Sequence, residues 1–391
     1  MSGSRLPESA PLKVGPARTK QFAFWAITII FLLVCIELAC FLVTRFRPDL
    51  FDQRELIVAQ LGSADFERIQ ANSASDLLGW DNPASVITQT KNCAGEEVTS
   101  TYSSDRIRLH GRGRPHDAVV LIAGDSFTHG NEVSDQDTYP AQLERILGVP
   151  TANLGVSGYG PDQALLKLET QIENFPRAKV VILSIGYAGA AYMLNSFRPL
   201  VQNPTGRHFG LKPYVGNGTF HEIIGGHPYR SFEAFKGAAL SAFDEDYWRR
   251  PRPTFPYLES VVKMIFLPSF WVPTLTQITE SLGRPHYDLL HRIPSVQSGL
   301  RAIYERFMDW SAKRGLPGIV VFIPTDAHDR TSGLTAIAAA TADQRRGLTF
   351  LNVTIGDGST YMQQTGCHPS PAGYRTIARS VADVARRFVV P

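Results

Sequence analysis

The feature that most constrains this chain is a strand that ends abruptly at a turn. Val119-Val120-Leu121-Ile122-Ala123 is continuously apolar and largely β-branched, and Gly124-Asp125-Ser126 follows at once. A short apolar run bounded by a turn is the mark of a strand buried on both faces of a parallel sheet. Ligands in open α/β sheets sit beyond the carboxyl ends of the strands, so Ser126 stands where a site would be built. A serine hydroxyl needs a base to become a nucleophile. The candidate base is His368, in the loop before a helix expected over Pro371–Val389. Each motif alone also reads as an ordinary turn or loop histidine; their pairing across an α/β pattern argues for a site.

That pattern is regular on both sides of a long interruption. Strands are expected at Ala118–Ala123, Thr151–Val156 and Ala178–Ile185, with helices at Tyr139–Leu147 and Asp162–Phe175 between them. After the interruption come a helix at Ser298–Arg314, a strand at Gly318–Ile323, a helix through Leu334–Gln344 and a strand at Leu348–Val353. Strands separated by helices of this length imply a parallel sheet covered on both faces. The domain is therefore expected to be α/β and to span residues 118–391, with an insertion at 197–297. Residues 44–117 form a connecting region, with a short helix at Phe51–Leu61 and an irregular stretch over Asp76–Thr101.

At its turns the chain resembles the SGNH, or GDSL-type, hydrolase family. Gly124-Asp125-Ser126-Phe127 looks like that family's first block, which carries the nucleophile. Asn153-Leu154-Gly155-Val156-Ser157-Gly158 resembles the second, and His368-Pro369 with Gly373-Tyr374 the last. The resemblance spans roughly residues 103–196 and 298–388. It implies a flavodoxin-like three-layer sandwich and a serine esterase or acyltransferase without a cofactor. Ser126 would be the nucleophile, His368 the base, and the Ser126 and Gly158 N–H groups the oxyanion donors. Two positions depart from the family pattern. Thr365 stands where an aspartate usually precedes the histidine, and Gly186-Tyr187-Ala188-Gly189 lacks the usual asparagine. Asn195 or Asn153 is then the candidate third oxyanion donor. Asp357, Thr365 or a backbone carbonyl is the candidate partner of the base. Asp125 is expected to tie down its turn, and His129 either borders the pocket or sits in a surface loop.

The first fifty residues place the domain. Residues 1–21 read as a disordered tail rich in Pro, Ser, Gly and basic residues. Phe22–Val43 is apolar except for Glu37, and 22 such residues rise about 33 Å, enough to cross a hydrocarbon core. The run is too long for a cleavable signal peptide, and Leu38-Ala39-Cys40 fits a lipoprotein box poorly because of Glu37. An uncleaved anchor is expected, with Glu37 near the outer interface. Arg5, Lys13, Arg18 and Lys20 precede the span, while Arg45, Arg47 and Arg54 follow it, so the tail is assigned to the cytoplasm and the main domain to the periplasm or exterior. Of the four cysteines, Cys35 and Cys40 fall in the span, leaving Cys93 and Cys367 as a candidate disulfide or two separate thiols.

A net charge of +3 over 391 residues, with no basic stripe interleaved with aromatics, argues against nucleic acid as a partner. His286 and His291 have no companions at metal-ligand spacing. Within the insertion, the run Val261–Leu275 is broken by prolines and Lys263; packing on the domain, contact with the membrane surface and a cover over the site all remain open for it. Two functions follow. One is a membrane-anchored esterase or O-acyltransferase acting on acyl esters of envelope carbohydrate or lipid. The other is an SGNH-like domain of weakened chemistry that binds a glycan or a partner protein.

Overall fold

The computed structural model describes residues 16–389 apart from 111–113, 187–188, 202–209, 227–228, 230, 269, 272–286, 325–329, 356–360 and 363–367. Its contacts divide into two compact units, one of residues 1–53 with 250–266, the other of 54–249 with 267–391.

The smaller unit is built on helix α1, Pro16–Phe46. Within it Lys20–Phe46 has a mean hydropathy of 2.9 over its most apolar window, long and apolar enough to cross a membrane. Nearly all its large apolar side chains are exposed. Glu37 is partly buried and engaged by backbone groups. Its two carboxylate oxygens accept the N–H groups of Tyr257 and Leu258, at the start of a second helix.

In the larger unit the helices Arg54–Ala59 and Ser63–Asn72 and a two-residue strand pair, Ala74–Ser75 with Gly79–Trp80, lead to a hairpin, β1 (Ile87–Lys91) and β2 (Glu97–Thr101), paired antiparallel. It lies where an irregular stretch was expected. Thr88, Gln89, Thr90 and Lys91 leave no apolar alternation because this strand is mostly solvent-facing. Its connection is set by Asn92, whose Oδ1 accepts the Ala94 and Glu96 N–H groups, and by Gly95 at φ 83°.

The main sheet has five parallel strands: β3 (Val120–Ala123), β4 (Thr151–Asn153), β5 (Val180–Gly186), β6 (Gly318–Ile323) and β7 (Leu348–Asn352). Their spatial order is β4-β3-β5-β6-β7, with Val120 opposite Val180 and Gly318 opposite Val181. This is the doubly wound order in which the chain reverses direction across the sheet between β3 and β5. Alternate strand residues feed two cores, as period-two geometry requires. Leu121, Leu183 and Phe322 face one, covered by helices Pro161–Gln171 and Pro294–Lys313. Val120, Ile182 and Val321 face the other, covered by Tyr139–Leu147 and Pro371–Val389. The result is the expected three-layer α/β sandwich. The helix expected through Leu334–Gln344 is two helices, Arg330–Ala338 and Ala342–Gly347, because Thr341 caps a fresh start.

Candidate active site

The site grows from the reversal point. Strand β3 ends at Ala123, and the chain turns into the single-turn helix α2, Ser126–His129. Gly124 allows that turn to press on its surroundings: a Cβ there would lie 2.1 Å from Thr128 Oγ1 and 2.9 Å from the Ser184 carbonyl. Asp125 caps the helix, accepting the Phe127 N–H at 2.9 Å. Its carboxylate also fills the space at Gly186, where a Cβ would approach Oδ2 to 2.4 Å. Asp125 therefore ties the end of β3 to the end of β5. Burial pushes its pKa up to about 6, against the pull of the Phe127 N–H and of His368. Ser126 is left half-buried at the first position of the helix.

His368 arrives from the other end of the chain. Its ring lies 5.3 Å from that of Phe127, the residue after Ser126. Among the described residues no hydrogen bond joins Ser126 to His368. Beside the ring stands Glu132, a residue the sequence did not single out. Glu132 Oε1 is 3.4 Å from His368 Nδ1, an ion-pair distance that falls short of hydrogen-bond geometry. Glu132 Oε2 accepts the Cys93 N–H at 2.7 Å. The neighbouring histidine holds the Glu132 carboxyl below its ordinary range, helped by the Cys93 N–H and opposed by partial burial.

Glu132 is fixed by a buried cation. The Arg108 guanidinium, 1% exposed, donates to the carbonyls of His129 and Gly130 at 2.6 Å each and to that of Val133 at 2.7 Å. Its Nε pairs with Asp135 at 3.0 Å. Four residues between His129 and Asp135 are thereby held around one planar fork. Asn92 adds a bond from its side-chain amide to the Glu132 carbonyl. The loop is joined to the second block as well, through Asn131 Nδ2 on Ser157 Oγ at 2.7 Å. Gly158, in that block, has φ 80° and is buried. Neither its N–H nor that of Ser126 is taken by a backbone carbonyl among the described residues.

The remaining candidates divide cleanly. Asn153 is a brace, donating to the His129 carbonyl at 3.3 Å and accepting the Gly155 N–H at 3.0 Å. Asn195 is buried and donates to the Phe197 carbonyl and to Asp246. Asn195 commits both amide N–H groups to the fold and Asn153 commits one N–H and its oxygen, so both are corrected from oxyanion donors to structural residues. His129 is neither pocket wall nor surface loop. It is buried, bonded to the Tyr102 hydroxyl at 2.8 Å, and its pKa is driven well down by burial and then by Arg108. Asp357 and Thr365 lie outside the described residues, as does Cys367. Cys93 is disulfide-bonded, whereas Cys35 and Cys40 are free thiols.

No family model and no characterised protein matches the chain in sequence. Among solved structures it is similar to a G-D-S-L family protein from Desulfitobacterium hafniense DCB-2, at 12% identity and a TM-score of 0.33 over 68% of this chain and 98% of that one.

Proposed function

We propose that this chain is a serine-dependent ester hydrolase or acyltransferase, with Ser126 as nucleophile, His368 as general base and Glu132 as the carboxylate behind the base. The observation that carries the reading is the anchored Glu132 beside Nδ1 of His368, next to the turn that bears Ser126. A neutral His368 takes the Ser126 proton as Oγ attacks the acyl carbon, and later returns a proton to the departing alcohol. Glu132 then faces an imidazolium and stabilises it. The oxyanion would be met by the N–H groups of Ser126 and Gly158, and loss of one such donor typically costs about 100- to 1000-fold in rate. Hydrolysis and acyl transfer differ only in whether water or another hydroxyl accepts the acyl group.

We further propose that the Lys20–Phe46 helix anchors the chain in the membrane with the larger unit on the non-cytoplasmic side. That location favours acyl esters of envelope carbohydrate or lipid as substrates. A second reading, a domain that binds such a glycan without turning it over, draws support from the commitment of both Asn153 and Asn195. One experiment separates them. Full-length protein in detergent is treated with a serine-reactive phosphonate and assayed on short acyl esters. Labelling that disappears in both Ser126→Ala and His368→Ala supports the enzyme. Folded protein that neither labels nor turns over any acyl ester moves the assignment to the binding module.

A further inference from the structure

We propose that residues 255–266 form a second membrane-embedded element: a short helix lying against the anchor, capped by Glu37 from within the span and facing lipid acyl chains along one side. The inference rests on the anchor proposed above. It begins with Glu37, six residues and thus about 9 Å of helical rise short of Val43. A carboxylate at that depth is costly unless it finds partners. Glu37 finds them in the N–H groups of Tyr257 and Leu258, at the start of the helix Tyr257–Phe266. Those are donors that a helix start leaves without intrahelical partners. Each group satisfies the other without water.

The chain leading to this cap is satisfied in the same way. Ser260, 3% exposed, accepts the Thr254 N–H at 3.1 Å and donates to the Arg252 carbonyl at 2.8 Å. Irregular backbone at membrane depth is tolerated only when such groups are paired within the protein. Above it the charges collect where a headgroup layer would begin. Arg47 pairs with Asp49 at 2.9 Å, Arg252 lies 3.7 Å from Asp52, and Arg250 donates to the Asp49 carbonyl.

The helix itself has three sectors at about 100° per residue. Ser260 and Met264 are buried. Leu258, Val262, Ile265 and Phe266 are exposed apolar residues, Phe266 at 80%. Glu259 and Lys263 form a third, charged sector and pair with each other at 2.6 Å. A buried face, an apolar face and a charged face are what an interfacial helix needs against protein, lipid and headgroups. The apolar face continues into a groove whose other wall is the anchor itself, at Ile30, Leu33, Val34 and Phe41. Whatever solvates the exposed anchor therefore also wets this face, and for the anchor that solvent is lipid.

The test uses the full chain in phospholipid vesicles, with p-benzoylphenylalanine placed singly at Ile30, Val262, Phe266 or Lys263 and photolysed. Lipid adducts at Val262 and Phe266 within about three-fold of those at Ile30, and at least about five-fold fewer at Lys263, are expected. In the Glu37→Leu background the Phe266 adduct should fall about five-fold with Ile30 unchanged, whereas Glu37→Gln, which keeps an acceptor, should stay within about two-fold. Lipid adducts at Ile30 alone overturn the inference and leave the anchor standing. Adducts from Val262 and Phe266 to a second copy of the chain overturn it in favour of a protein interface. No lipid adduct at Ile30 removes the anchor and this inference together.

Discussion

Two carboxylates seven residues apart, Asp125 and Glu132, are driven in opposite directions by their surroundings. Glu132 is held below the ordinary glutamate value of 4.5, chiefly by His368. A depressed carboxyl contributes stability that is present above the unfolded value and lost as pH falls through the folded one. The unfolding midpoint of the wild type should therefore exceed that of Glu132→Gln at neutral pH, with the gap closing on acidification below about pH 4; a gap that persists there would count against the pairing. In an ester assay the same substitution should cost about 100-fold or more, since the imidazolium loses its anion. Asp125 is the reverse case, raised from 3.8 to about 6 by burial. Its protonated form is the one the fold prefers, so stability declines as pH rises from about 4 to 6 and is level above that. The full effect is on the order of 3 kcal/mol. Asp125→Asn should flatten that portion of a stability-against-pH curve, and an unchanged slope would remove Asp125 as its cause.

At the scale of elements, the site depends on how closely three backbone segments approach. A Cβ on Gly155 would sit 2.3 Å from the His129 backbone nitrogen, so the second block and helix α2 cannot both keep their places in Gly155→Ala. A loss of about 3 kcal/mol is expected from denaturant unfolding. Arg108→Met tests the loop that presents Glu132. It strands three buried carbonyls and Asp135, and breaking a buried pair by removing one partner typically costs about 3–5 kcal/mol. Surviving folded protein should also lose ester turnover although Arg108 touches neither Ser126 nor His368 in any described bond. Wild-type turnover in that variant would show that the clamp serves stability alone.

For the whole molecule, the testable statement is topological. Reporter fusions after Pro48 and at the C-terminus should both be active only as exported proteins. Cytoplasmic-type activity at the C-terminus would overturn the compartment and with it the envelope substrate. Export also suits the disulfide at Cys93. Cys93→Ser is expected to cost about 2–4 kcal/mol. It should lower ester turnover beyond the stability loss, because the disulfide fixes the segment whose Cys93 N–H bonds Glu132 Oε2.

What the sequence determined by itself is what short-range pattern encodes. The run Val120–Ala123, the helix Tyr139–Leu147 and the strand Gly318–Ile323 fall where apolar periodicity put them, because burial on both faces of a sheet demands unbroken runs and burial of one helical face demands spaced ones. The turn that puts Ser126 just beyond the strand end was legible because so sharp a turn needs Gly124. The structure alone decided the partners of polar groups. Glu132 meets His368, Arg108 meets four groups of the loop from Gly130 onward and its flank, and Glu37 meets Tyr257 across more than two hundred residues of chain. Asn153 and Asn195 turned from donors to braces on the same ground. A hydrogen bond requires only that two groups arrive at about 3 Å. Nothing periodic in the chain records which distant residue will be there; that is set by how the packed elements bring their loops together.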